Sequence, residues 1–183
     1  WKNENSLRGP LGMLLTPEGY AKGNGVFVPS KGKVSLIVDT NGDDKADEEI
    51  VVASGWKEIA QNVDAVGIAM DKDGNIYFGL GTVNYANAYL VNDEGVAEYD
   101  ISSDRGTVQK VSADFSKRET VCTGIRFPIA FAFNEQGDLF CSEQEGATWL
   151  PNGNPLDELL HIRLDGSGPN GTAGIKRHYG FPP

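Results

Sequence analysis

Residues 66–78 read VGIAMDKDGNIYF, and residues 129–141 read IAFAFNEQGDLFC. Each stretch holds an apolar segment, a polar turn around Gly74 or Gly137, and a second apolar segment. Short runs rich in Val, Ile, Phe and Tyr, separated by such a turn, predict two antiparallel strands joined as a hairpin. The second copy begins 63 residues further along the chain, and the two copies align position by position without a gap. The chain therefore repeats one structural unit, and this repeat decides the fold.

A third and looser copy lies upstream. It reads GMLLTP at 12–17, continues through an inserted loop, and resumes as GVFVP at 25–29. The unit also has a second half with two further strands. The third strands are predicted at 32–38 and 106–112, and the fourth strands at 49–55 and 119–124. Four short antiparallel strands joined by turns form the blade of a β-propeller.

The sequence thus predicts an all-β fold, a β-propeller with about three four-stranded antiparallel blades in one partial propeller domain over 1–183. The blades span approximately 11–60, 61–125 and 126–183. Closed propellers usually have about four to eight blades, so we interpret the chain as a fragment of a ring with about six. A stable open arc and two copies that close one ring are the alternatives.

The innermost strand of each blade is predicted near 12–16, 66–70 and 129–133, with both of its faces covered. A helix could begin within 156–162. That segment, however, occupies the place of the third strand of the third blade, and we expect a strand there. The whole chain then contains no long amphipathic helix.

Composition excludes several classes of partner. The formal net charge is −10 and the isoelectric point about 4.6, which argues against nucleic acids and anionic membrane surfaces as ligands. No apolar run reaches the roughly 18 residues that a membrane span needs. Cys122 and Cys141 form no CxxC or CxxCH motif, so this segment attaches no haem and builds no zinc knuckle. Two buried thiols are favoured over a disulfide.

An acidic loop at 39–49 has the spacing of a calcium site. Side-chain oxygens occur at loop positions 1, 3, 5 and 9, and a backbone carbonyl is available at position 7. These five candidate metal ligands are Asp39, Asn41, Asp43, Asp47 and the carbonyl of Lys45. A tight turn folds alternate side chains of such a loop onto one centre, and the site would be structural.

Two positions depart from the calcium-loop pattern. Position 6, usually glycine, is Asp44, and position 12, usually a bidentate glutamate, is Ile50. Glu48 or Glu49 could substitute for the missing glutamate. The alternative is a hairpin rich in Asp and Asn that needs no ion.

Four motifs in the last third of the chain carry a family resemblance. They are TGIRFPI at 123–129, SEQEG at 142–146, DEL at 157–159 and HYGFP at 178–182. In this order and with these gaps, the chain resembles the glucose/sorbosone dehydrogenase family, soluble sugar dehydrogenases that carry pyrroloquinoline quinone (PQQ). The resemblance covers about residues 122–182. The chain is also similar to the propeller domain of large bacterial proteins that contain a CxxCH cytochrome domain.

The resemblance implies a quinoprotein-like sugar or alcohol dehydrogenase in the periplasm or outside the cell. It places Arg126 against a PQQ carboxylate, a role that suits the guanidinium fork. It assigns Gln144, Glu145 and Gly146 to the cofactor site, where backbone carbonyls near Glu145 and Gly146 would hold a calcium ion bound to the quinone. The implied partners are a small sugar or alcohol, the remaining blades, and a cytochrome domain of the same protein.

The chain departs from the family pattern at the catalytic base. A histidine should precede the first strand of the second blade, but residues 61–65 read QNVDA. The chain contains only His161 and His178, and the Asn of the family's Arg-Asn-Pro motif is Phe127. No catalytic residue is therefore assigned, and Asp64 is the one candidate for a replacement base.

These departures leave two further functions open. The first is a non-catalytic propeller module that binds carbohydrate or protein within a larger secreted protein. The second is a hydrolase of the lactonase kind, with Asn62, Asn134 and Glu143 as its candidate metal ligands. A shared propeller fold does not distinguish these functions from a dehydrogenase, since function depends on the site.

Overall fold

The computed structural model describes residues 6–58, 64–82, 104–144, 156–166 and 176–180. These residues form eleven strands in three antiparallel sheets, and the described residues contain no helix. The prediction of an all-β fold is confirmed. Within the same ranges there is consequently no helix able to cross a membrane.

Each sheet follows chain order from its inner to its outer strand. The first contains β1 (Leu14–Leu15), β2 (Asn24–Ser30), β3 (Lys33–Asp39) and β4 (Glu48–Ser54). The second contains β5 (Ala65–Met70), β6 (Ile76–Leu80), β7 (Thr107–Val111) and β8 (Arg118–Thr123). The third contains β9 (Pro128–Phe133), β10 (Leu139–Glu143) and β11 (Glu158–Ile162). The segment 156–162 thus supplies a strand and not a helix.

The repeat in the sequence is also a repeat in space. The amide of Asp71 donates to the carbonyl of Asn75 at 3.0 Å, and the amide of Asn134 donates to the carbonyl of Asp138 at 3.0 Å. Both hairpins contain a glycine in the left-handed region, with φ values of 84° at Gly74 and 88° at Gly137. The same turn chemistry therefore joins β5 to β6 and β9 to β10.

Two apolar cores separate the three sheets. In the first core the rings of Trp56 and Phe78 lie 5.5 Å apart. In the second core the rings of Tyr77 and Phe133 meet edge to face at 5.2 Å. The second sheet therefore buries both of its faces, one against the first sheet and one against the third, as stacked propeller blades do.

Both cysteines belong to the second core and are free thiols. Burial raises the pKa of the Cys122 thiol to about 12 and also raises that of Cys141, and the nearby carboxylate of Glu143 adds to both shifts. The expectation of buried thiols in place of a disulfide is confirmed.

Glycine permits the close approach of the second and third sheets. A Cβ built on Gly79 would lie 2.1 Å from Cγ of Pro128, and a Cβ on Gly67 would lie 2.8 Å from Cδ2 of Phe131. Real Cβ atoms do not come this close to other heavy atoms. The inner strand β9 can therefore pack on β5 and β6 only because these two positions have no side chain.

The outer faces of the first and third sheets are less covered. Strand β5 is almost wholly buried, as predicted for an inner strand, but β9 exposes Ala130 and Ala132. Leu159 of β11 is 74% exposed, and Met13 beside β1 is equally exposed. The expectation that every inner strand is covered on both faces holds for β5 but not for β1 or β9, because among the described residues no further strand packs on the outer side of either.

Candidate ligand site between the second and third sheets

Arg126 lies in the short connection between β8 and β9. Its guanidinium Nη1 donates to the backbone carbonyl of Gln144 at 2.6 Å, and its backbone amide donates to Oε1 of Glu143. Its own carbonyl accepts from the amide of Thr82 at 2.8 Å. Only 4% of Arg126 is exposed. The structure therefore brings Arg126 to the segment that begins at Glu143.

Glu143 and Gln144 form the other wall of this junction. Glu143 ends β10 at a bulge and is 2% exposed. The amide of Gln144 donates to the carbonyl of Phe127 at 3.1 Å, so the backbones on both sides of the junction are bonded to each other. Two further predicted site residues, Glu145 and Gly146, lie outside the described residues.

Asp64, the candidate replacement base, is part of a buried polar cluster. Its carboxylate is fully buried and forms an ion pair with Arg105. Oδ2 accepts from the amide of Gly32 at 2.7 Å and from Nε1 of Trp56 at 2.7 Å. This carboxylate is closed to solvent, with Oδ2 bonded to two donors and Oδ1 facing the Arg105 guanidinium, so a substrate cannot reach it in this arrangement. Asp64 therefore has a structural role in this arrangement.

Backbone bonds connect the Asp64 cluster to the Arg126 junction. The amide of Gly81 donates to the carbonyl of Asp64 at 3.1 Å, and the next amide, that of Thr82, binds Arg126. Residues 81–82 directly follow β6, so both features occur at the same end of the second sheet. This end is the one at which the family resemblance places the cofactor site.

Arg105 and Trp56 are site residues that sequence reasoning missed. Arg105 lies two residues before β7, and its Nη2 also donates to the carbonyl of Lys57 beyond β4. The available signal was the presence of charged residues just before the buried strands, Asp64 next to β5 and Asp104 and Arg105 within three residues of β7. That pattern alone does not reveal that Asp64 and Arg105 meet.

Both histidines have structural partners. Nδ1 of His178 lies 3.0 Å from Oγ1 of Thr123, and residues 123 and 178 form a parallel bridge beside β8. The ring of His161 stacks on Phe140 with centroids 5.1 Å apart. Neither imidazole takes the position that the family pattern gives to the catalytic base, which precedes β5.

The loop between β3 and β4 folds around Asp39. Oδ1 of Asp39 accepts from the amides of Asn41 at 3.1 Å and Gly42 at 2.6 Å, and Oδ2 accepts from the amide of Asp44 at 2.8 Å. These amide donors hold the pKa of Asp39 below its usual value, and the amide of Gly42 contributes most. Asp44 adopts a φ of 63°, the left-handed turn for which calcium loops use glycine.

The other predicted ligands also accept backbone donors. Oδ1 of Asn41 accepts from the amide of Asp43 at 2.9 Å, and Oδ1 of Asp43 accepts from that of Lys45 at 3.0 Å. Asp47 accepts from the amide of Thr40 at 3.0 Å. In the described ranges no group of three or more His, Cys, Asp or Glu side chains is arranged to hold a metal ion. Calcium at this loop stays a prediction.

Comparison with solved structures supports the propeller fold. The PQQ-bound form of aldose sugar dehydrogenase from Streptomyces coelicolor has a TM-score of 0.58 at 19% identity, over 93% of this chain and 52% of that one. A glucose dehydrogenase-type oxidoreductase from Thermus thermophilus has a TM-score of 0.61 at 22% identity, over 85% of this chain and 49% of that one. The PQQ domain of pyranose dehydrogenase from Coprinopsis cinerea has a TM-score of 0.58 at 9% identity, over 88% of this chain and 41% of that one.

At these identities the likeness shows the fold alone, and the chain spans about half the length of these structures. The shared fold is a β-propeller. Among curated proteins none matches the chain. A sequence model of one family matches residues 12–160, which include all of the first two sheets and most of the third. The chain therefore belongs to the family described as a domain of unknown function, DUF7133.

Proposed function

We propose that the chain is part of a quinoprotein-like sugar or alcohol dehydrogenase propeller whose catalysis is weakened in these blades. One observation carries this proposal: Arg126 is buried at a blade junction and is bonded there to Glu143 and Gln144. The family resemblance assigns Arg126 and the segment from Gln144 to the cofactor site. Structures with the same fold include PQQ-bound dehydrogenases.

The arrangement of Arg126 does not fit a direct bond to PQQ. A carboxylate ligand needs a guanidinium whose donors face the cleft. Here the Arg126 side chain is buried and donates to the carbonyl of Gln144. Arg126 thus acts on the backbone of residues 143–144 and fixes the position of the chain that leads into Glu145 and Gly146.

The weak catalysis follows from the position of Asp64. The family pattern places the base directly before the inner strand of the second blade, and Asp64 lies there. Its ion pair with Arg105 and its bond to Trp56 occupy the carboxylate. A positioned base commonly accelerates a reaction by about 10²–10⁴-fold, so its loss from these blades predicts poor turnover.

The same cluster favours a second function, a non-catalytic propeller module that binds carbohydrate or protein. In that case the buried pair of Asp64 and Arg105 has no catalytic role and only stabilises the contact between two blades. This module would still present the loops of its ring as a binding surface. The two functions differ in one property, PQQ-dependent electron transfer.

The exposed sheet faces support a larger ring. Met13 and Leu15 on the first sheet and Leu159 on the third are each at least two-thirds exposed. We infer that further blades of the same protein cover these faces in a ring of about six, with the three sheets as blades over approximately 11–60, 61–125 and 126–183. From the resemblance we also infer a periplasmic or extracellular location and an attached cytochrome domain.

The test uses the complete protein loaded with PQQ and calcium. Reduction of an artificial electron acceptor is followed with a panel of aldoses and alcohols, and PQQ binding is measured separately by titration. We expect PQQ-dependent turnover far below that of sugar dehydrogenases assayed alongside. The variant Asp64→Asn should not lower this turnover further in the fraction that remains folded.

The outcomes separate the two functions. Rates equal to those of the reference sugar dehydrogenases would contradict the weakened site. A complete lack of PQQ binding would favour the non-catalytic module. The variant Arg126→Lys provides a check on the junction, because it keeps the charge but loses the planar fork, and we expect lower stability together with weaker PQQ binding.

A further inference from the structure

A cleft of about 280 Å³ lies between the outer strands of the second sheet and the residues that follow β11. Tyr77, Lys110 and Glu119 of the second sheet line it, opposite Arg163, Lys176 and Arg177. The register pairs Tyr77 with Lys110 and Lys110 with Glu119, close to the hairpin end of that sheet. The Arg126 junction lies beyond the other end, so the cleft is a separate feature.

The lining of this cleft is positively charged although the chain carries a net charge of −10. Four cationic side chains line it, Glu119 is the one carboxylate among the lining residues, and Arg163 is also paired with Asp165 at 2.8 Å. Glu119 already forms an ion pair with Lys117 at 2.6 Å. The pKa of Glu119 is lowered, first by the bond to Lys117, with smaller contributions from the charges of Lys117, Lys110 and Lys176.

One wall of the cleft is apolar. Tyr77 is 2% exposed, and Nζ of Lys110 lies 5.7 Å from the centroid of its ring. Val121 and Leu164 continue this wall beside the charged groups. A cleft with both properties suits a molecule that has an anionic group and a compact body.

We propose that this cleft binds a small molecule of about monosaccharide size that carries a phosphate or carboxylate group. Ligand pockets commonly measure about 300–1,000 Å³, and this cleft is at the lower limit. Lysines such as Lys110 and Lys176 offer point charges to either oxyanion. Arg163 shares its charge with Asp165, to which its Nη2 donates at 2.8 Å. The proposal goes beyond the proposed function, because it uses none of the residues of the Arg126 junction.

The test measures binding to the full chain at constant ionic strength with three probes: inorganic phosphate, glucuronate and glucose. We expect one or both anions to bind and glucose not to bind. If only phosphate binds, the ligand is a phosphate compound, and if only glucuronate binds, it is a carboxylate. Either result supports the proposal and identifies the anionic group.

Charge variants locate the binding. The double variant Lys110→Gln/Lys176→Gln should weaken anion binding at least about tenfold, the scale of one charge-assisted hydrogen bond. The exposed lysine variant Lys72→Gln changes a charge outside the cleft and should leave the affinity unchanged. Circular dichroism checks that both proteins are folded. Failure of both anions to bind, or equal loss in the two variants, would overturn the proposal.

Discussion

Asp64 and Arg105 form a buried ion pair at the contact between the first two sheets. Both residues belong to the second sheet's segment of the chain, but the other donors to the carboxylate, Gly32 and Trp56, come from the first. The hydrogen bonds and the ion pair of this cluster therefore stabilise the contact between the first two blades. Asp64 lies where the family resemblance expects the catalytic base.

Removal of the Asp64 charge should destabilise the chain strongly. In Asp64→Asn the Arg105 guanidinium stays buried without its counter-charge, and breaking such a pair costs about 3–5 kcal/mol. Urea unfolding measures the loss. Asp73→Asn, an exposed position on the β5–β6 turn, is the matched control and should change stability by less than about 0.5 kcal/mol. Equal stability of the two variants would show that the ion pair does not hold the blades together.

The variant Gly79→Ala should loosen the contact between the second and third sheets. The new methyl group would meet the ring of Pro128, and overpacking of this kind costs about 1–3 kcal/mol. Gly12→Ala is the control for a milder clash, because a Cβ atom built on Gly12 would lie 3.1 Å from its nearest neighbour, Cγ of Pro29. We expect the larger fall in melting temperature for Gly79→Ala. The reverse order would contradict the close packing of β9 on β6.

Calcium should raise the melting temperature if the loop at 39–47 binds it, since a ligand of the folded state alone stabilises that state. Melting curves with calcium and with a chelator test this. Asp43→Ala removes one predicted ligand and should abolish the difference, whereas Asp73→Ala on another turn should keep it. Identical curves for the unmodified chain would leave the ion-free hairpin as the account of this loop.

The turn between β7 and β8 should lose stability in acid. Oγ of Ser112 donates to Asp114 at 2.6 Å and the amide of Ser116 donates at 3.0 Å, which lowers the pKa of Asp114 from 3.8 to about 2. A depressed carboxyl pKa contributes stability above the unfolded value, and this is lost as the pH falls from about 4 towards 2. The variant Asp114→Asn should melt below the unmodified chain at pH 7 and together with it near pH 2. A constant difference across this range would contradict the prediction.

The sequence was sufficient to predict the strands, because each hairpin carries its own signal. Alternating apolar residues and a left-handed glycine recur at 66–78 and 129–141, and both are local properties of the chain. The meeting of Arg126 with Gln144 was predictable only through the family resemblance. The pairing of Asp64 with Arg105 was not predictable, since a long-range ion pair leaves no periodic trace in a sequence.

The packing of the repeats has a consequence for the spacing of the blades. Gly67 and Gly79 allow the third sheet to approach the second, but the repeat places Ala130 and Ser142 at the equivalent positions of the third sheet. A further copy of the third sheet would meet these side chains where the first contact needs none. A blade that packs on the third sheet must therefore lie further away than β9 lies from β5 and β6, or present smaller side chains, so the repeat in the sequence does not fix one spacing for every pair of blades.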